Sequence, residues 1–503
     1  MKNQRKIGII IAYLSQFVQL ATGFIYTPIM LRLLGRSEYG LYQLVFSVVS
    51  YLSLLSLGFG TSYLRFYSRE KAKGSEDGVA KINGMFLLIF CCISFVCIAC
   101  GVVMLTNIRG IFGAGLTESE YSTASVLMLL MIINLAMTFQ SSVFECILIS
   151  QERFLFQKVL GLAKNILHPF ITLPLLIAGF GSVGMVTVTT VLTFLALIIN
   201  IYYCIAKLHA RFCFKGLKFS LLKEIWVFTF FIFLNQIVDQ INWSVDKYLL
   251  GRLSGTAAVA VYGVGAQINT LYLQFSTSVS SVFAPKINRI VAETNDNNEL
   301  TSVFTKVGRV QFIIMALILS GFTFFGRPFI KFWAGIEYAE AYYITLLLIF
   351  PVTVPLIQNL GIEIQRAKNK HQARSVVYFL IAIANIFLSI SLIKIMGPSG
   401  AALGTTISLI AGNVLFMNWY YQRKLGININ YFWKNIASFA PALLTPLAVG
   451  TLCMLYITYD SVLQLAICIC LYTAVYCFSM YKFGMNREER EMIDSPIRKM
   501  FRR

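Results

Sequence analysis

Apolar residues in this chain run in blocks of about twenty, separated by short polar connections, and do not alternate singly. A hydrocarbon layer about 30 Å thick is crossed by about 20 helical residues, so each block is long enough to span it. Fourteen blocks are legible: 7–31, 41–64, 84–105, 123–148, 159–180, 183–205, 225–245, 257–282, 307–325, 341–364, 375–396, 400–421, 436–457 and 462–481. Lipid offers no partner to a backbone N–H or C=O, and the alternation of barrel strands is absent, so these blocks must be helices. The predicted fold class is all-α and membrane-embedded.

Composition supports this reading. Of 503 residues, 57% are hydrophobic and 13% charged, which excludes a water-soluble enzyme. The 42 Lys and Arg against 22 Asp and Glu give +20, a balance that on a soluble chain would suggest nucleic acid. Here the distribution explains it. With helix-end residues counted in the nearer connection, 34 of the 42 basic residues fall on one face, which also holds both termini, and 8 on the other. Cytoplasmic loops retain Lys and Arg, so both termini are expected in the cytoplasm and no nucleic-acid partner is implied. The basic start, 1–6, precedes a run too long for a signal peptide and without an A-x-A-like cleavage site, so it reads as the approach to the first span.

The eleven cysteines lie in predicted helices except Cys213, which falls in a cytoplasmic loop, so no external disulfide framework is available. Cys97-x-x-Cys100 has metal-like spacing, but inside an apolar helix small packing residues are the preferred reading, and no metal or cofactor is expected. The longest outer connection, 106–122, is too short for a domain, which weighs against a polytopic enzyme with its site outside the membrane. No G-x-x-x-x-G-K-[ST] loop occurs, so any driving force comes from a gradient, the membrane potential or metabolic pull.

A shift of 216 residues carries Leu33-Leu34-Gly35-Arg36 onto Leu249-Leu250-Gly251-Arg252, Gly181 and Gly184 onto Gly397 and Gly400, and Thr189-Thr190 onto Thr405-Thr406. A constant shift at distant places with the same roles implies duplication of a six-span unit. Six is even, so the copies share one orientation, with a substrate path expected between them. The expected organisation is an N-terminal six-helix lobe, 1–206, a second, 207–424, and two extra helices with a basic tail, 425–503.

Polar residues then fall in stripes. Asn235, Asp239, Asn242 and Asp246 follow spacings of 4, 3 and 4, placing them on one face of block 7. Gln19 and Tyr26 in block 1, Gln267 and Gln274 in block 8, Glu145 in block 4 and Glu363 in block 10 extend the pattern. Two readings stand for the stripes: hydrogen-bonding glue between helices, or the wall of a wet cavity that binds cargo or couples an ion. An anionic cargo would need cations, and Arg36, Arg65, Lys164, Lys247 and Arg252 are candidates, with His168 one turn beyond Lys164. Snorkelling to the interface is the alternative for the arginines.

Pro28, Leu33-Leu34-Gly35, Glu38-Tyr39-Gly40-Leu41-Tyr42, Asp246-Lys247-Tyr248-Leu249-Leu250-Gly251, Val261-Tyr262-Gly263 and Ala284-Pro285 occur in an order that resembles the polysaccharide or O-antigen repeat-unit flippases of the multidrug/oligosaccharidyl-lipid/polysaccharide exporter superfamily. The resemblance implies two six-helix lobes, a cavity lined mainly by blocks 1, 2, 7 and 8, and alternating access. It implies a non-enzymatic flippase that carries a polyprenyl-diphosphate-linked oligosaccharide from the cytoplasmic to the outer leaflet of a bacterial inner membrane, for surface polysaccharide assembly. Partners would be that lipid-linked sugar, membrane lipids and polysaccharide polymerase machinery. A drug/cation antiporter of the same superfamily is the alternative, and a polytopic assembly enzyme a more distant one. Block 1 carries no central charge, which leaves phosphate recognition unassigned.

Overall fold

The computed structural model describes residues 2–216, 219–368, 370, 372–492 and 494. Among the described residues every regular element is helical. Two compact units divide the chain, Met1–Ala260 and Val261–Arg503.

The first unit contains α1 (Lys2–Val49), α2 (Phe59–Ala72), α3 (Glu76–Thr106), α4 (Ile108–Phe112), α5 (Glu118–Ser150), α6 (Phe154–Ile177), α7 (Gly181–Tyr202) and α8 (Phe219–Ser254). α1 breaks at Gly35 (φ 71°, ψ 173°), which separates blocks 1 and 2 within one helical run. Block 2 is itself interrupted: a 3₁₀ turn, Ser50–Ser56, and left-handed Leu57 and Gly58 intervene before α2. α5 starts on a capping box in which Thr117 and Glu120 satisfy each other's backbone. The basic-loop end of α3 is capped by Ser75, whose Oγ accepts from the Gly78 N–H at 2.9 Å. α3, α5 and α7 pack side by side, and α1 lies along α6.

α9 (Thr256–Glu293) leads into the second unit, which continues with α10 (Asn297–Trp333), α11 (Ala341–Ile357), α12 (Leu360–Ala367), α13 (Gln372–Leu409), α14 (Met417–Tyr420), α15 (Ile429–Ala437), α16 (Ala440–Tyr456) and α17 (Val462–Ser479). Its core gathers Tyr272, Phe304, Val307, Leu356, Tyr421 and Phe432, all at most 5% exposed. α17 docks on α10: the Tyr472 hydroxyl donates to Ser320 Oγ and the Tyr476 hydroxyl to the Ile313 carbonyl, each at 2.8 Å. Apolar side chains also point outward, among them Phe95, Phe170, Ile395 and Tyr456 at 72–79% exposure, as a lipid-facing surface requires.

Among the described residues eight helices are long and apolar enough to cross a membrane, or ten when two bent pairs, α11 with α12 and α15 with α16, each count as one. The protein is a multi-pass membrane protein. The count of fourteen is not fixed by this criterion, which joins blocks 1–2 and 11–12 in single runs and leaves out the polar-striped α8 and α9.

Two features recur at the sequence shift. Gly181 and Gly397 take φ of 56° and 57°, a left-handed backbone that glycine adopts without a Cβ clash, at the start of blocks 6 and 12. The Thr190 hydroxyl reaches the Leu130 carbonyl and the Thr406 hydroxyl the Leu347 carbonyl, tying α7 to α5 and the block 12 helix to α11 in the same way.

Candidate functional site

In the first unit, α1, α5, α6 and α7 bring polar side chains into one interior network. Lys164 on α6 donates to Thr193 Oγ1 at 2.8 Å, and Asn134 on α5 reaches the same hydroxyl at 3.0 Å. One turn along α6, His168 Nε2 lies 3.0 Å from Thr189 Oγ1 and its ring packs edge-on against Tyr26 at 5.8 Å. Glu145 on α5 accepts from Ser141 Oγ at 2.9 Å, and Asn200 donates to that serine at 3.2 Å. The Glu145 charge acts electrostatically on Lys164, so the network carries one cation with one anion in reach. Four residues singled out in the sequence, Tyr26, Glu145, Lys164 and His168, are thereby brought together. Spacing accounts for the part within each helix: Lys164 and His168 are i, i+4 on α6, and Thr189 and Thr193 repeat that step on α7. All four sequence candidates are half-buried.

A second group joins α1 to α8. Lys247 donates to Gln43 Oε1 at 3.0 Å, and Gln43 in turn donates to the Tyr39 hydroxyl at 2.7 Å. One face further along α8, Gln240 bonds Ser50 Oγ and Ser244 Oγ. Asp246 is 1% exposed and Asn242 half-buried, while the side chains of Asn235 and Asp239 lie outside the described residues.

A third group forms a clasp where 36–40, 113–121, 181–182 and 248–257 converge. Glu120 Oε1 accepts from Ser37 Oγ at 2.7 Å and from Thr256 Oγ1 at 2.9 Å, while Oε2 accepts from the Thr117 N–H at 2.9 Å. Burial raises the Glu120 carboxyl, but the bonds from Thr117, Ser37 and Thr256 outweigh it and hold it below the usual glutamate range. Glu38 accepts from the Ser182 N–H and hydroxyl at 2.6 and 2.8 Å, and Arg36 Nε donates to the Ala257 carbonyl at 3.2 Å. Gly40 sits so close to Thr256 that a Cβ there would lie 1.9 Å from its carbonyl oxygen. Arg252 donates to the Tyr248 hydroxyl at 3.2 Å, and Tyr248 to the Ile111 carbonyl at 3.1 Å.

The other candidates are dispersed. Gln19 and Arg65 are exposed, and Gln267 and Gln274 are half-buried on α9. Glu363 pairs with Arg366 one turn away at 2.9 Å at the end of α12. Among the described residues no three His, Cys, Asp or Glu side chains converge as a metal site would need.

Sequence reasoning placed Glu38 only in a family motif, without a partner, and missed Glu120 and a buried ion pair in the second unit. Arg309 donates from Nε and Nη2 to Glu489 at 2.6 and 3.0 Å, and also reaches Asn435 O, Ser438 Oγ and Gly484 O. Its guanidinium lies 4.2 Å from the Phe439 ring centre. The T-x-x-E box could have revealed Glu120; nothing local points from the tail to Arg309.

The fold is shared with solved structures. A lipid II flippase MurJ in an inward closed conformation matches with a TM-score of 0.74 at 17% identity, over 95% of this chain and 98% of that one. An inward-facing multidrug resistance MATE family transporter of the MOP superfamily matches with a TM-score of 0.67 at 13% identity, over 83% and 99%. In sequence, a Shigella flexneri protein assigned as an O-antigen transporter is 20% identical over 411 residues, covering 79% of this chain and 93% of the relative. Residues 6–291 match the profile of the polysaccharide biosynthesis protein family, and with more than half of its length inside that match the chain belongs to this family.

Proposed function

We propose that the protein is a flippase that moves a polyprenyl-diphosphate-linked oligosaccharide from the cytoplasmic to the outer leaflet, without chemistry on its cargo. Family membership across 6–291, together with the flippase-type fold, carries this reading. The half-buried network around Lys164 supports it, because a charged head group cannot cross hydrocarbon without polar partners and water. In this reading Lys164, His168 and Tyr26 face the head group, Lys247 and Gln43 tie α8 to α1, and the lipid tail stays in the bilayer. The positive-inside bias supports an inner-membrane protein with both termini cytoplasmic; in this reading surface polysaccharide polymerase machinery is the downstream partner, because it would consume the flipped cargo. The predicted lobes, 1–206 and 207–424 with 425–503 appended, remain our proposal for the repeat, supported by the recurring Gly181/Gly397 and Thr190/Thr406 geometry.

The test is reconstitution in liposomes with a fluorescent polyprenyl-diphosphate oligosaccharide. Inner-leaflet cargo should become accessible to an external lectin, and Lys164→Met should reduce the gain about tenfold or more. A protein that leaves the cargo inside, yet exchanges cationic drugs for protons or sodium, is the antiporter instead.

A further inference from the structure

On the second unit, the connection from α9 to α10, the segment after α12 and the helical end at Leu425 meet around a cavity of about 560 Å³. Lys368, Lys370, Arg423, Lys424, Asn295 and Asn297 line it, and among the described residues no carboxylate does. Two of the cations are fixed in place by neutral acceptors. Lys368 Nζ donates to Asn297 Oδ1 at 2.6 Å and to the Leu425 carbonyl at 3.1 Å, and Lys370 Nζ donates to the Lys424 carbonyl at 2.7 Å. The Tyr420 hydroxyl holds the Lys370 carbonyl at 2.8 Å, so the lysine-bearing segment is pinned to the opposite wall. Among the described residues none of the four cations has an ion-pair partner. Nearby acids are engaged elsewhere: Glu293 pairs with Arg289 at 3.8 Å, and Asp296 caps α10 through the Asn298 N–H at 2.8 Å. Glu299 lies in the first turn of α10 and does not line the cavity.

Basic residues on a cytoplasmic face are ordinarily scattered and solvated. Here three lysines and an arginine converge on one concavity, and burial together with the Lys370 charge lowers the Lys368 ammonium below its usual range. Gathering like charges is unfavourable unless an anion compensates them. Arg423 supplies a planar fork and the lysines point charges, the combination suited to phosphate oxygens. We propose that this cavity binds a phosphate-bearing anion, either the head group of an acidic lipid or a soluble diphosphate. By the positive-inside reading it opens on the cytoplasmic face, where acidic lipids accumulate. It shares no residue with the cargo candidates and stands independently of the flippase reading.

The experiment uses the full chain in nanodiscs and two probes. Inorganic pyrophosphate is titrated calorimetrically in phosphatidylcholine discs, and retention of phosphatidylglycerol is read by native mass spectrometry from mixed discs. The cavity variant is R423Q/K424Q, and the control R153Q/K158Q removes equal charge from another basic connection. Binding should weaken about tenfold or more in the cavity variant and stay unchanged in the control. Pyrophosphate binding alone identifies a soluble ligand, lipid retention alone a head group, and both together a site that accepts either. If wild type binds neither probe, or both variants lose binding equally, the proposal fails. Should R423Q/K424Q not fold, Lys370→Gln carries the same expectation.

Discussion

The Glu120 clasp yields a prediction whose size follows from its geometry. Alanine at 120 removes the Oε1 acceptor shared by Ser37 and Thr256, and leaves only the Ser37–Thr256 hydroxyl contact at 3.1 Å and the Arg36–Ala257 bond as polar links between the 36–40 segment and the start of α9. A hydrogen bond to a charged group contributes about 1.5–3 kcal/mol when buried, and partial exposure reduces each here to about 1 kcal/mol. Losing two should therefore shift the closed-to-open ratio of the clasp by about 2 kcal/mol, or roughly thirtyfold. Hydrogen exchange of the full chain in nanodiscs reads this directly, in peptides covering 36–40, 113–121 and 252–257. Glu120→Ala also loses the capping box, so Thr117→Ala is the internal control and should loosen only the start of α5. Gly40→Ala should open the same peptides at least as far, because its Cβ collides with the Thr256 backbone. Glu120 has a depressed pKa, so its contribution is complete above the unfolded value of about 4.3 and is lost only as pH falls through the still lower folded value. The clasp should thus be insensitive to pH between about 5 and 8. Exchange that Glu120→Ala leaves unchanged, or that Thr117→Ala raises equally, would refute the clasp.

Three further outcomes are expected. Lys164→Met should leave expression intact and reduce flipping by about tenfold or more, since it removes the cation bonded to Thr193; full complementation in cells would remove Lys164 from the cargo path. Glu489→Ala should destabilise the second unit by about 3–5 kcal/mol, because it strands the buried Arg309, whereas R309M/E489L should be near neutral; equal melting losses for both would show that packing, not the ion pair, matters. In a cysteine-free background, a cysteine at Asp460 should react with an impermeant thiol reagent from outside and one at Arg211 should not, the reverse pattern overturning the assigned orientation.

Block length and apolarity made the helices legible, because lipid leaves the backbone no alternative. Spacing also grouped Lys164 with His168, since an i, i+4 step on α6 fixes which face they share. It could not say that Thr189 and Thr193 on α7 would meet them, because helix-to-helix register depends on packing at a distance. The interruption of block 2 at 50–58 was hidden for a related reason: Leu57 takes a left-handed φ of 48° that no local residue preference announces. Glu363 illustrates the opposite case, a carboxylate on a legible stripe whose observed partner, Arg366, is a surface neighbour one turn away.

The placement of charges in the first unit bears on how such a protein could release what it binds. An isolated lysine inside a membrane would hold a diphosphate tightly, since nothing else would satisfy it. Lys164 is not isolated: Thr193 accepts from it, and the Glu145 carboxylate lies within electrostatic reach without a direct ion pair among the described residues. In the proposed cycle an incoming diphosphate meets both the Lys164 cation and the nearby Glu145 anion, so part of its attraction to Lys164 is offset by repulsion from Glu145, and that repulsion assists departure of the cargo. Glu145→Gln removes that repulsion while keeping an acceptor for Ser141 Oγ. The variant should therefore bind lipid-linked cargo more tightly and turn it over more slowly, read as a lower half-saturation concentration with a lower maximal flipping rate. Weaker binding with unchanged turnover would mean that Glu145 contacts the sugars directly or only packs the helices, and that release is governed elsewhere.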